Sequence, residues 1–186
     1  KGLHILVDAC EQLAARDDLP PFVLRAAGYL GESGKPYLAA IEARIPAGKL
    51  ARRFQYVGEL TRPEKIDFLQ SLDIFSTPTV YRESKGLPAL EAMANAIPVV
   101  LPAHGSFPEM IADTGGGILH QPHDSSDLAA KIAELLLNPN RATQQGLAGQ
   151  RSIRDRYHAT KMAEKSLDLY RRMITTGRLG IQAASH

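Results

Sequence analysis

The sequence predicts a doubly wound α/β domain, a parallel sheet covered by helices on both faces. Three observations lead to it. Short apolar, strand-like runs alternate with helix-period segments along the chain. The run Pro98-Val99-Val100-Leu101 is apolar at every position, as a strand buried on both faces requires. Several strand-like runs end in glycine or a turn, and ligands of such sheets bind at the carboxyl ends of the strands.

The elements follow in order. Residues 2–16 carry Leu3, Ile5, Leu6, Val7, Ala9, Cys10 and Leu13 and read as an amphipathic helix. Phe22 to Gly28 is a strand, Leu38 to Ile45 a helix, and Phe54 to Gly58 a strand ending in glycine. Pro63 to Leu72 is a short helix, since proline suits a first turn whose N–H groups lack partners. Residues 73–78 run from strand into loop, and 87–95 form a helix. Strand 97–101, short helix 107–112 and brief strand 117–119 come next. Asp124 and Ser125 open a helix over 126–137, and two more helices occupy 140–156 and 160–175. Residues 176–186 have no pattern and are expected to fray. Right-handed crossovers place Gly58, the 77–86 loop and the 102–107 loop on one edge, as one site from three segments.

Composition narrows the function. With 186 residues, 44% hydrophobic and 23% charged, the chain can bury the core of one domain. A net charge of +2 argues against a nucleic-acid binder and a polybasic membrane anchor. A single cysteine, Cys10, excludes an internal disulfide and a cysteine metal cluster, and reads as a small core residue. The six histidines show no spacing such as H-x-x-x-H. There is no signal peptide and no apolar run near the ~18 residues of a membrane span. The expectation is a cytoplasmic protein, at most peripheral at the inner face of the membrane. Lys1-Gly2 leads straight into a helix with no strand before it, so the chain reads as a piece of a longer polypeptide.

The chemistry concentrates in Glu83-Ser84-Lys85-Gly86-Leu87-Pro88-Ala89-Leu90-Glu91. Two glutamates stand eight positions apart across a loop that turns into a helix, with Arg82 and Lys85 beside them. That arrangement suits a ligand anionic in its middle and hydroxyl-rich at both ends, as a nucleotide-sugar is. The N–H groups of Gly86 and Leu87 suit the diphosphate, and carboxylates accept hydrogen bonds from sugar and ribose hydroxyls. Each residue alone has a plainer explanation. Glu83 reads as a solvated loop acid, Glu91 as compensation of the helix dipole in the first turn, and Gly86 as a turn glycine.

The stretch Glu83 to Val100, ESKGLPALEAMANAIPVV, resembles the E-x7-E signature region of the family-four retaining glycosyltransferases, which have the GT-B fold. Tyr56-Val57-Gly58, Ser76-Thr77-Pro78, Gly105-Ser106-Phe107-Pro108-Glu109 and Gly116-Gly117-Ile118-Leu119 with Pro122 stand in the family's order. Lys1-Gly2 is similar to the end of its Arg…Lys-Gly element. The resemblance implies that residues 1–175 are the Rossmann-like, donor-binding C-terminal half of such an enzyme. Helices 140–175 would then pack toward a missing N-terminal domain. It also implies that Glu83 contacts the transferred sugar and Glu91 holds the ribose. Lys85, Gly86, Leu87 and Gly105 line the sugar and diphosphate, and Lys1 neutralises the diphosphate. The segment from Val57 to Leu60, with Gly58, Glu59 and Leu60 as its donor contacts, runs along the nucleobase mostly through backbone groups. The donor is a nucleoside-diphosphate sugar, no metal or other cofactor is expected, and the acceptor is a glycan, a lipid or a small molecule.

Departures from the family pattern are informative. Lys85 replaces a more usual aromatic residue and either adds a cation near the diphosphate or points to solvent. Ser106 replaces the second glycine of a Gly-Gly pair, and Ala96 a glycine that ends the helix, so Asn95 is expected to take the left-handed cap. His104 reads as polar surface, with a sugar contact as the alternative, and Met162, Ala163, Ser166, Leu167, Leu169, Tyr170 and Met173 as a helical stripe of local core packing, part of it an interdomain surface. The family's first strand, central in the order 3-2-1-4-5-6, has no counterpart, which leaves sheet edges unpaired. Two rivals remain: a GT-B nucleotide-sugar epimerase and a non-catalytic nucleotide-sugar-binding module. No G-x-G-x-x-G follows a strand, which disfavours a dinucleotide site.

Overall fold

The computed structural model describes residues 1–45 and 49–175, so the expected fraying of 176–186 lies outside the described residues. The elements are α1 (Leu3–Ala14), β1 (Leu24–Ala26), a 3-10 turn at Glu32–Gly34, α2 (Lys35–Arg44), β2 (Phe54–Tyr56) and α3 (Arg62–Gln70). They continue with β3 (Phe75–Ser76), α4 (Leu87–Ala94), β4 (Val99–Pro102), α5 (Phe107–Thr114) and β5 (Gly117–His120). The chain then forms α6 (Ser125–Leu136), α7 (Pro139–Arg156) and α8 (Ala159–Thr175). The α/β alternation is as predicted.

Boundaries differ for local reasons. The first strand is three residues rather than seven. Its partner β2 begins only after a Leu50–Arg53 turn in which Arg52 takes φ +65°. Helix α2 starts three residues early because Pro36 falls in its first turn, where no N–H is needed. Helix α6 is capped as expected, the Asp124 carboxylate accepting from the N–H groups of Ser126 at 2.8 Å and Asp127 at 2.9 Å.

All pairings are parallel. β4 lies between β3 and β5 and is buried at every residue. Its side chains alternate between two cores. Val100 joins one built with α1, β1 and α6, while Val99 and Leu101 join one built with α4, α5 and Ile153 of α7. Cys10 packs in the first core, as expected, and burial, reinforced by the charge of Glu11, pushes its thiol up to about 12.

The sheet is in two pieces, β2-β1 and β3-β4-β5. Leu24 N–H donates to Arg53 O at 2.7 Å and Val57 N–H to Ala26 O at 2.9 Å, so β1 pairs with β2 through alternate residues. The backbone groups of Arg25 and Ala27 therefore point the other way. On the far side, Phe75 N–H donates to Pro98 O at 3.0 Å, which turns the groups of Ile74 and Ser76 away from β4. Between these two edges lies a cavity of about 1420 Å³, floored by Cys10, Leu13, Ile132 and Leu135. It occupies the place where the order 3-2-1-4-5-6 puts its first strand.

Helix α4 ends in a Schellman motif. Ile97 N–H donates to Ala92 O at 3.1 Å and Ala96 N–H to Met93 O at 2.9 Å. The left-handed residue is Ala96, with φ +62°, and not Asn95 as the sequence suggested. Asn95 stays near the helical region, at φ −94°, because its side-chain amide donates to Glu91 O at 2.9 Å, inside the helix. Helix α7 crosses this corner closely enough that a Cβ on Gly146 would sit 2.0 Å from Ala96 O. On α8, Met162, Leu169, Tyr170 and Ile174 are exposed.

Two stability changes follow. Ala96→Gly relieves a left-handed alanine and raises unfolding free energy by about 1 kcal/mol. Gly146→Ala should lower it by about 1–3 kcal/mol through backbone overpacking, although alanine is the better helix former by about 1 kcal/mol. Urea denaturation of both variants checks the pair; a more stable Gly146→Ala protein would show that α7 is not seated on the α4 corner.

Candidate functional site

The carboxyl ends of the strands converge as the topology demands, and the segment after β3 carries most of the candidate site. Ser76 Oγ donates to Val100 O at 2.8 Å, fixing the strand exit. The chain then passes Thr79, fully buried, and reaches Glu83. Gly86 opens α4 with φ +62°, and a Cβ there would lie 2.7 Å from Met110 Cε and 2.9 Å from Phe107 Cε1. Glycine is thus required twice, by the backbone and by the packing of α5. Pro88 takes a place in the first turn, after Leu87.

Glu83 is enclosed from several sides. Lys1 Nζ donates to its Oε2 at 2.9 Å. Ser84 N–H and Lys85 N–H donate to Oε1 at 3.1 and 3.4 Å, and Tyr81 OH lies 3.4 Å from Oε2. The side chain is only 15% exposed. The Lys1 ammonium, opposed by burial and helped by backbone N–H donors, holds the carboxyl down at about 2. Burial works against the charge on Lys1, but hydrogen bonds to Tyr81 and Glu83 outweigh it and raise its pKa. Glu83 is therefore a permanent acceptor and Lys1 a permanent cation at neutral pH.

The loop after β4 supports this pair from below. Ser106 N–H donates to Glu83 O at 2.8 Å, and His104 Nε2 lies 2.9 Å from Thr79 O. A Cβ on Gly105, which has φ +61°, would lie 2.5 Å from Glu83 O. Gly105 thus serves the loop–loop contact directly. His104 is not free surface as the sequence suggested; it ties the two loops together. Thr79 Oγ1, His104 Nδ1 and Ser106 Oγ are buried on these loops without a protein partner among the described residues.

Other candidates sit farther round. Glu91 lies in the second turn of α4, not the first, so dipole compensation loses its basis. Its Oε1 accepts from Lys65 Nζ at 2.6 Å. Gly58 follows β2 and is joined to the end of β1 by a Gly28 N–H to Gly58 O bond of 2.8 Å. Glu59 and Lys85 are exposed, and Leu60 is half-buried. The structure thus brings Lys1, Glu83, Gly86 and Gly105 together. Gly58, Glu59 and Leu60 follow β2, past the Gly28–Gly58 bond, and lead into α3, whose Lys65 reaches Glu91. Sequence reasoning missed Lys65, Tyr81 and the role of His104. The capping box of Thr61 and Glu64 was legible and places Lys65 one turn into α3, but nothing in the sequence aims it at Glu91. Among the described residues there is no group of three or more His, Cys, Asp or Glu able to hold a metal, and no helix long and apolar enough to cross a membrane.

The family model described as glycosyl transferases group 1 matches residues 1–152. The chain belongs to this family. Among curated relatives, alpha-maltose-1-phosphate synthase of Mycobacterium tuberculosis is 33% identical over 144 residues, covering 72% of this chain and 37% of the relative. The phosphatidyl-myo-inositol mannosyltransferase of Mycobacterium leprae is 29% identical over 178 residues, covering 95% of this chain and 44% of the relative. The chain thus spans less than half the length of either relative. Sucrose-phosphate synthase from Thermosynechococcus elongatus superposes with a TM-score of 0.80 at 26% identity, over 95% of this chain and 43% of that one. Anabaena Alr3699/HepE, solved in complex with UDP and glucose, gives 0.81 at 21% identity over 92% and 45%, a likeness of fold. The family read from Glu83 to Val100 is confirmed, and the α/β fold matches the GT-B structures.

Carbon-detected NMR titration of the Glu83 carboxyl should give a midpoint of about 2. Lys1→Met should return it toward the ordinary ~4.3 of a glutamate. Because the folded value is depressed, the pair's stabilisation is present above the ordinary carboxyl range and is lost as pH falls toward 2. An unshifted midpoint in the parent protein would dissolve the pair.

Proposed function

We propose that this chain is the donor-binding part of a retaining glycosyltransferase that moves a sugar from a nucleoside diphosphate to an acceptor. The observation that carries the reading is the Lys1–Glu83 pair, held at the carboxyl edge by Gly105 and set beside the Gly86 start of α4. Membership of the group 1 glycosyl transferases supports it.

In this reading each group has work that its chemistry suits. Glu83, ionised and acceptor-only, receives hydrogen bonds from the sugar hydroxyls. The N–H groups at Gly86 and Leu87 face the diphosphate. The bond from the anomeric carbon to the diphosphate oxygen breaks, a bond to the acceptor oxygen forms on the same face, and the acceptor proton is released. Negative charge grows on the departing diphosphate, where the fixed cation of Lys1 stabilises the transition state more than the ground state. Glu91 meets the ribose, and the 58–60 turn runs along the base through backbone groups. Lysine supplies the positive charge, so the reading calls for no metal.

The acceptor site belongs to a further part of the polypeptide. The cavity between β1 and β3 supports this, because one more parallel strand there would pair both free edges. The exposed apolar residues of α8 fit the same arrangement, turned toward a second domain.

Calorimetric titration with UDP, GDP and ADP tests the reading. One of them binds saturably, and Glu91→Ala weakens it about tenfold or more, the loss expected for hydrogen bonds to a charged group. Binding of none of the three, or binding indifferent to Glu91, would refute the donor-site assignment.

A further inference from the structure

We propose that Lys65 is a positioning residue for ribose recognition, holding Glu91 in the rotamer that receives the 2′- and 3′-hydroxyls of the nucleotide. This rests on the donor-site reading, in which Glu91 meets the ribose.

The geometry is built from both helices. On α3, Thr61 N–H and Oγ1 both donate to Glu64 Oε2, at 2.8 and 2.6 Å, so the first turn is closed and its orientation set. Lys65 N–H donates to Thr61 O at 2.8 Å, which places Lys65 on that closed turn, directly after the 58–60 segment. On α4, the Asn95 amide donates to Glu91 O at 2.9 Å and its Oδ1 accepts from Gln70 Nε2 at 3.2 Å. The two helices are thus tied twice, at the end of α3 by Gln70–Asn95 and one turn from its start by Lys65 Nζ to Glu91 Oε1 at 2.6 Å. The second tie joins the segment read as the base site to the carboxylate read as the ribose site.

A carboxylate offers about four acceptor positions on two oxygens. Lys65 takes one on Oε1, which leaves Oε2 and the rest of Oε1 for a vicinal diol. A glutamate has three rotatable side-chain bonds, and the freedom lost on binding is smaller when a partner already holds it. The pair is 42% exposed on each side, so as a bare surface ion pair it would matter little for stability. Preorganisation of the diol acceptor is what the contact supplies.

The test compares affinities with and without the ribose hydroxyls. The chain, Lys65→Met, Lys65→Arg and Glu91→Ala are titrated with whichever of UDP, GDP and ADP binds tightest, and with its 2′,3′-dideoxy counterpart. The ratio of the two affinities cancels general effects of charge and folding. We expect Lys65→Met to lower that ratio about fivefold, the upper end for a half-exposed pair, and Lys65→Arg to restore most of it. An unchanged ratio in Lys65→Met, with the ratio collapsing in Glu91→Ala, overturns the role of Lys65 and leaves the donor site standing. A ratio indifferent to Glu91→Ala, or no binding at all, overturns the ribose assignment and this inference with it.

Discussion

Burial of β4 on both faces is the constraint from which the rest follows. A strand with Val99 and Leu101 in one core and Val100 in the other cannot be moved by a residue without turning an apolar side chain into the wrong layer. Its carboxyl end is therefore fixed. The loop that leaves it, His104-Gly105-Ser106, becomes a rigid support against which the loop after β3 is laid. Glu83 inherits its position from that support, and α4 inherits its start from Gly86 packed on Phe107. The candidate chemistry is thus two contacts away from the hydrophobic core.

The alternation of elements was legible because β4 is a short apolar run and helices such as α1 and α6 carry an apolar face at helical period, while α3, which lacks one, was marked by Pro63 in its first turn. The edges of the elements were less so. Residues 22–28 look like a long strand, yet the regular ladder covers only Leu24–Ala26, because β2 starts late, after the Leu50–Arg53 turn, and past Ala26 a single bond from Gly28 N–H to Gly58 O remains. Ladder length is a property of two segments and cannot be read from one. The end of α4 shows a different limit. Composition favoured Asn95 for the left-handed position. The choice was made by a side-chain bond back to Glu91, which leaves the strained conformation to Ala96.

At the site, the sequence displayed residues whose spacing is local, and the E-x7-E stretch is such a case. It was silent on partners supplied from elsewhere. Lys65 precedes Glu91 by 26 residues and Lys1 precedes Glu83 by 82. Gly105 was read as facing a sugar and is needed first by the Glu83 backbone. Glycines at such edges are conspicuous in a sequence, but whether they make room for a ligand or for another loop depends on the packing.

The division of the sheet also bears on how the chain comes apart. Backbone hydrogen bonding does not cross from β1 to β3, so the β1–β2 piece is joined to the remainder by side chains of α1 and its core rather than by a ladder. With no ladder across the gap, the opening free energy of α2, β1 and β2 rests on that shared core, where Leu24, Ile41 and Leu50 pack with α1, and on the hydrogen bond from Arg25 to Ser71 Oγ at 2.6 Å.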